Sequence, residues 1–262
     1  MPPRRSGRHP AGMTGLEAAI ARAVECDEFV LHYQPIVTVR TGDIAAYEAL
    51  VRWARPGSEM LPPAEFIPVA EVTDLIVRVD TWVINQAARQ LAQWNHLAKD
   101  RSLVVAVNVS GRHINTPHIR TNVAAALDAN DIDPGQLILE ITETVVVDGS
   151  AVDNLHELRR LGVKLSLDDL GTGHNSIDQL TRLPLDIVKI DRSYLDPAAP
   201  SRRRELRQLV DAAHALGLPV CGEGVEQEDQ LTLLRELGVE SAQGFFLGRP
   251  TTAAAVGAGL KP

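Results

Sequence analysis

From residue 103 onward the chain repeats one rhythm, a short apolar run followed by a stretch of helical periodicity. The runs are LVVAVNVS (103–110), QLILEITE (136–143), VKLSLDD (163–169), DIVKID (186–191), LPVCGEGVE (218–226) and, more weakly, SAQGFFLG (241–248). Segments 64–98, 115–129, 150–161, 202–216 and 227–237 carry helical periodicity and are rich in Ala, Leu, Arg, Glu and Gln. Short apolar strands separated by helices imply a parallel sheet buried on both faces. Upstream, FVLHYQPIVTV (29–39) and DIAAYEALVRW (43–53) read as two strands joined by the turn Arg40–Thr41–Gly42, a hairpin. A helix over 14–26 precedes them, with Leu16, Ile20 and Val24 at helical spacing and Thr14 as N-cap. Eight candidate strands suit a closed barrel better than an open sheet. The expected fold class is therefore α/β, a (β/α)₈ TIM-like barrel with one antiparallel strand contributed by the hairpin. It forms a single domain over 14–250, between a flexible N-terminal tail (1–13) and a C-terminal tail (251–262).

Composition narrows the function. With 26 basic and 34 acidic residues the net charge is −8, which argues against binding to long nucleic acid. A small anionic ligand stays open, because a metal ion or a local arginine reverses the sign inside a pocket. Two cysteines, Cys26 and Cys221, form no disulfide framework and no zinc-ligand spacing; small apolar filler in a reducing compartment is the expected role. No apolar run reaches the ~18–20 residues that span a bilayer. The start, MPPRRSGRHPAG, lacks the apolar segment of a secretory signal. The expectation is a cytoplasmic protein without a membrane partner.

In a barrel of this kind chemistry sits at the C-terminal strand ends. There the sequence offers Glu48 and Arg52, then Asn108, Glu140 and Glu143, Asp168 and Asp169, Lys189 and Asp191, Glu223, and Gln243. Each residue singly is a common rim or turn residue. Taken alone, the Asp168–Asp169 pair before Gly171 and Gly173 reads first as a turn, with a cation site as the other reading. Collectively, successive strand ends present hard oxygen ligands while the strand interiors stay apolar. Glu48, Asn108, Glu140, Asp168, Asp169 and Glu223 suit Mg²⁺ or Mn²⁺ and not zinc or copper, and the eight histidines show no paired ligand spacing. Adjacent aspartates can bind two ions, the arrangement that stabilises both oxygens of a phosphoryl displacement. Lys189 could orient or deprotonate a water, or neutralise developing charge, and Arg52 could hold a phosphate oxygen.

These residues sit in a set of motifs: Tyr33-Gln34-Pro35-Ile36, Glu48-Ala49-Leu50-Val51-Arg52-Trp53, Phe66-Ile67-Pro68-Val69-Ala70-Glu71 and Asn108-Val109-Ser110. Further on come Glu140-Ile141-Thr142-Glu143, Asp168-Asp169-Leu170-Gly171-Thr172-Gly173, Lys189-Ile190-Asp191 and Glu223-Gly224-Val225-Glu226. Together they resemble the EAL domain, a bacterial phosphodiesterase family that acts on cyclic di-GMP, over about residues 14–250. The resemblance implies metal-dependent hydrolysis of one phosphodiester bond of cyclic di-GMP to linear pGpG. It implies that Glu48, Asn108, Glu140 and Asp168 hold one Mg²⁺ or Mn²⁺ ion. By the same resemblance Asp168 would bridge to a second ion, helped by Asp169 and, through water, Glu223. It further implies that Lys189 contacts the catalytic water, that Gln34 and Arg52 meet the substrate, and that Gln243 supports the site. The resemblance implies as well that Glu143 would anchor the Asp169–Gly173 loop, which in the family couples a homodimer to metal binding.

The chain departs from the family's usual pattern at Leu170, His174 and Asn175, where Phe and an aromatic–Ser pair are common. These are loop and interface positions, not ligands, so the departure bears on dimer coupling and leaves the ligand set complete. An alternative expectation is a module that binds cyclic di-GMP without cleaving it.

Overall fold

The structure is a computed structural model that describes residues 15–98, 102–142, 149–171, 180–196 and 200–260. The barrel strands are β1 (Phe29–Thr38), β2 (Ile44–Trp53), β3 (Val105–Asn108), β4 (Leu137–Thr142), β5 (Lys164–Leu170), β6 (Ile187–Ile190), β7 (Val220–Gly222) and β8 (Ser241–Gln243). Strands β2 to β8 pair in parallel, each with the next. Strand β1 runs antiparallel to both β2 and β8 and closes the ring. This is the expected (β/α)₈-like barrel with one antiparallel strand.

The helices among the described residues are α1 (Gly15–Glu25), α2 (Ile67–Glu71), α3 (Leu75–Leu97), α4 (Gly111–Ile114), α5 (Ile119–Asp128), α6 (Gly149–Leu161), α7 (Pro200–Ala215), α8 (Glu228–Glu236) and α9 (Ala253–Gly259). The periodic stretch 64–98 is not one helix. Thr73 divides it: its hydroxyl donates to the Ala70 carbonyl at 3.0 Å and accepts from Leu75 N–H at 3.4 Å, closing α2 and opening α3. Helix α3 then buries Leu75, Ile76, Val79, Val83, Ile84, Ala87, Leu91 and Trp94 at helical spacing.

The segment set off as a C-terminal tail is built into the fold at its start. Thr251 and Thr252 form a short strand, β9, against Tyr33 and His32 of β1. Helix α9 follows, with Val256 buried and Trp94 Nε1–H donating to the Ala253 carbonyl. The expected 1–13 tail lies outside the described residues. Cys221 is buried as expected, whereas Cys26 is exposed, just past the end of α1.

Apolar side chains fall into two groups because the strands alternate. Outward-facing Val105, Val107, Leu137, Leu139, Ile141, Leu165, Leu167, Val188 and Ile190 join the main core under the helices. Inward-facing Ile36, Ala46, Ala106, Ile138 and Cys221 form a separate small cluster inside the barrel. No helix among the described residues is long and apolar enough to cross a membrane.

Candidate metal and phosphodiester site

Two residues further along each strand from the inner apolar cluster, the inward positions turn polar. Ile36 gives way to Gln34 on antiparallel β1, Ala46 to Glu48, Ala106 to Asn108, Ile138 to Glu140, Ser166 to Asp168, Ile187 to Lys189, Cys221 to Glu223 and Ser241 to Gln243. Gln34 lies opposite Glu48 and Asn108 opposite Glu140, whereas the stagger between strands sets Glu48 beside Ala106, Glu140 beside Ser166 and Lys189 beside Cys221; the side-chain contacts at Lys189 are what bring the polar residues together. One polar side chain per strand thus forms an upper tier at the C-terminal mouth, above a lower tier of small and apolar residues.

Lys189 is the hub, 1% exposed. Its Nζ lies 2.5 Å from Glu223 Oε1, 3.0 Å from Glu140 Oε2, 3.4 Å from Asp168 Oδ1 and 3.9 Å from Glu48 Oε2. Glu48 is oriented from both sides: Asn108 Nδ2 donates to its Oε1 at 2.7 Å, and Gln243 Nε2 to its Oε2 at 2.5 Å. Gln243 Nε2 also reaches Gln34 Oε1 at 3.0 Å, and Gln34 Nε2 donates to the Gly248 carbonyl at 3.0 Å.

The aspartate pair depends on backbone irregularity. Between Leu167 and Leu170 the β5–β6 register shifts, and Asp169 takes φ +58°. A regular strand would send Asp168 and Asp169 to opposite faces; the irregularity re-aims them. Oxygens of Asp168, Asp169 and Glu223 consequently come within 4.8 Å of one another. The segment is then pinned by Tyr194, whose hydroxyl donates to the Gly171 carbonyl at 2.7 Å. At Gly171, φ is +99° and a Cβ would lie 2.5 Å from that hydroxyl, so only glycine fits.

Electrostatics sets the chemistry. Burial pulls the Lys189 ammonium down, but Glu140, Glu48, Glu223 and Asp168 outweigh it and hold the group well above its ordinary value. Burial lifts the Glu140 carboxyl well above the usual range, and its acidic neighbours add to this against Lys189. Burial likewise pushes Glu223 up to about 7. Burial also acts to raise Glu48, yet Lys189 and the Gln243 and Asn108 amides carry it below the ordinary value. Four carboxylates, those of Glu48, Glu140, Asp168 and Glu223, meet one ammonium, an excess of acidic groups, and Asp169 joins Asp168 and Glu223 beside them. An all-oxygen donor set with this charge excess fits hard divalent cations.

A mouth cavity of about 300 Å³ is lined by Gln34, Glu48, Asp169, Glu223 and Gln243, with Asp191, Arg192, Glu226 and Phe245. A neighbouring cavity of about 310 Å³ reaches Asn108 and Glu140. Arg52 shares the Glu48 face of β2 and stands higher on the rim, half-buried; its Nη1 donates to the Val51 carbonyl. Burial lowers its pKa and the Glu48 charge opposes that. The structure brings together every expected ligand, with Arg52 above them. Glu143 and loop residues 172–179, which include His174 and Asn175, lie outside the described residues. Leu170 is fully buried.

Sequence reasoning missed Arg192, a cation at an acidic mouth; its position directly after Lys189-Ile190-Asp191 was the available signal. It also missed Asp80, buried on α3, which accepts from Ser110 N–H at 2.9 Å and Ser110 Oγ–H at 2.6 Å. That contact fixes the turn just after Asn108. Nothing local marks Asp80, which lies in an ordinary helix.

The fold and site define a metal-suited (β/α)₈ barrel with an acidic mouth. The EAL domain model matches residues 17–250, and the chain belongs to the EAL domain family. It is 39% identical to the cyclic di-GMP phosphodiesterase NbdA of Pseudomonas aeruginosa over 245 residues, 92% of this chain and 31% of that protein. It is 35% identical to the cyclic di-GMP phosphodiesterase PdeR of Escherichia coli over 244 residues, 92% of this chain and 36% of that protein. The solved PaMucR phosphodiesterase in complex with c-di-GMP superposes with a TM-score of 0.87 at 35% identity, covering 93% of this chain and all of that one. The chain spans about a third of the length of the curated relatives it matches.

Proposed function

We propose that the chain hydrolyses one phosphodiester bond of cyclic di-GMP to linear pGpG with a divalent pair, Mg²⁺ or Mn²⁺. The observation that carries this reading is the upper tier, in which the carboxylates of Glu48, Glu140, Asp168 and Glu223 converge on Lys189 at the C-terminal mouth, with Asp169 beside Asp168 and Glu223. Family membership and the named phosphodiesterases among its relatives support the substrate. Glu48, Asn108, Glu140 and Asp168 would hold one ion; Asp168 and Asp169, with Glu223, would hold the other. Bound there, a divalent pair supplies Lewis-acid charge to the phosphate and lowers the pKa of an attacking water.

The chain's own residues do the rest. Lys189, kept as an ammonium by its acidic neighbours, donates a hydrogen bond that orients the water and steadies developing negative charge. Asn108 and Gln243 hold Glu48 in a single orientation, and Gln34 braces Gln243 while meeting substrate at the mouth. Arg52 at the rim offers a phosphate its guanidinium donors. The proposal extends to residues 14–250 as the catalytic unit, a homodimer as its working form and the cytoplasm as its location.

The test is incubation of the purified chain with cyclic di-GMP and Mn²⁺, followed by chromatography. Linear pGpG that forms with Mn²⁺ and stops with a chelator is the expected result. Calorimetric binding with no product would overturn it in favour of a non-catalytic binding module.

A further inference from the structure

We propose that the lower tier of the barrel is a second binding site, for uncharged amphipathic molecules of about phenol size, entered from the face opposite the acidic mouth. Barrel interiors are ordinarily filled by bulky branched side chains. Here Ala46, Ser166, Cys221 and Ser241 take those positions and leave a cavity of about 160 Å³. A cavity of about 150 Å³ in a protein interior takes a benzene-sized molecule.

The cavity is reachable. Its outer end is bounded by Ala45 and Lys164, both exposed, and its inner end by buried Glu140 and Lys189. Ile36, Ile138 and Ile187 give it apolar walls. Ser166 is 1% exposed, and its Oγ has no hydrogen-bond partner among the described residues. A buried hydroxyl left unpaired is costly, so a ligand with one hydrogen-bonding group gains by meeting it. Charge is disfavoured within: at the inner end Lys189 is already surrounded by carboxylates and Glu140 already faces Lys189, so neither offers a ligand an open counter-charge. The occupant is therefore an apolar body carrying one hydroxyl or amide. This inference does not rest on the proposed activity, since it concerns the side of the Lys189–Glu140 pair away from the substrate mouth.

The probe is phenol, titrated into the full chain without added metal and followed by ¹⁵N-resolved NMR. The expected result is saturable shifts at the backbone amides of Ile138, Ser166, Ile187 and Cys221. Ser166→Val, which fills the space and removes the hydroxyl, should weaken binding at least about tenfold. Ser166→Ala should weaken it a few-fold and abolish the preference for phenol over benzene. If Ser166→Val fails to fold, Ala46→Val on β2 fills the cavity from across the barrel and carries the same expectation. Absence of saturable shifts in the unsubstituted chain, or unchanged phenol affinity in a folded cavity-filling variant, would overturn the proposal.

Discussion

The two tiers inside this barrel hang from the same eight strands and obey the same alternation, yet they do opposite things with burial. In the lower tier, Ile36, Ala46, Ala106, Ile138 and Cys221 exclude charge and leave room. In the upper tier, Glu48, Glu140 and Lys189 are as deeply buried but crowd charge of mostly one sign into a few ångströms. A protein interior tolerates the first arrangement without help. The second is stable only if protons or cations compensate it. The difference marks the upper tier as the place where the fold accepts a cost in stability.

The largest expected effect comes from breaking the upper tier. On the proposed function, Glu48→Ala or Asp168→Ala should lower the rate of cyclic di-GMP hydrolysis by ~10³-fold or more, because each removes an oxygen donor from the proposed metal site. A rate near that of the unsubstituted chain would show the ligand assignment to be wrong.

Next comes the hub. Lys189→Ala leaves buried Glu140 and partly buried Glu223 without their cation, and loss of one partner from a buried ion pair typically costs about 3–5 kcal/mol. Chemical denaturation in a chelator should show a loss of that order, and added Mn²⁺ should recover much of it. Equal losses with and without Mn²⁺ would mean that cations do not share the task of Lys189. Smaller again, Gly171→Ala should destabilise by about 1–3 kcal/mol through its positive φ and the Tyr194 ring, measured by the same denaturation.

A buried carboxylate outside both tiers sharpens the contrast. Glu28 accepts from Trp53 Nε1–H at 3.0 Å and Arg22 Nε–H at 3.1 Å, and these bonds hold its pKa below the ordinary value. The upper-tier Glu140 is shifted the opposite way. Because the folded value of Glu28 is depressed, its stabilisation is present above the unfolded value near 4.5 and is lost as pH falls through the folded value. Glu28→Gln should therefore cost most at neutral pH and least in acid, as read from denaturation midpoints across pH. A pH-independent cost would remove the contrast.

Much of this architecture was legible in the sequence because two short-range signals suffice. Short apolar runs separated by helical periodicity mark the strands, and acids clustering at the strand ends mark the mouth. What was hidden depends on geometry that no residue announces. The re-aiming of Asp168 and Asp169 requires the register shift and an aspartate at positive φ, which the local pattern does not encode. Thr73 interrupts an unbroken helical periodicity by hydrogen bonding alone. Residues 251–259 are mostly Thr, Ala and Gly, too small to give a periodic apolar signal, and they are held by pairing with β1. Asp80 acts on the turn after Asn108 through a contact thirty residues away in sequence.

The central claim, that the upper tier is charge-balanced by divalent cations, is tested most directly by anomalous scattering from crystals grown with Mn²⁺. Two manganese peaks are predicted, one among Glu48, Asn108, Glu140 and Asp168 and the other beside Asp168 and Asp169. Diffraction that shows no manganese among these side chains, with Lys189 still paired to Glu140 and Glu223 as their sole cation, would contradict it.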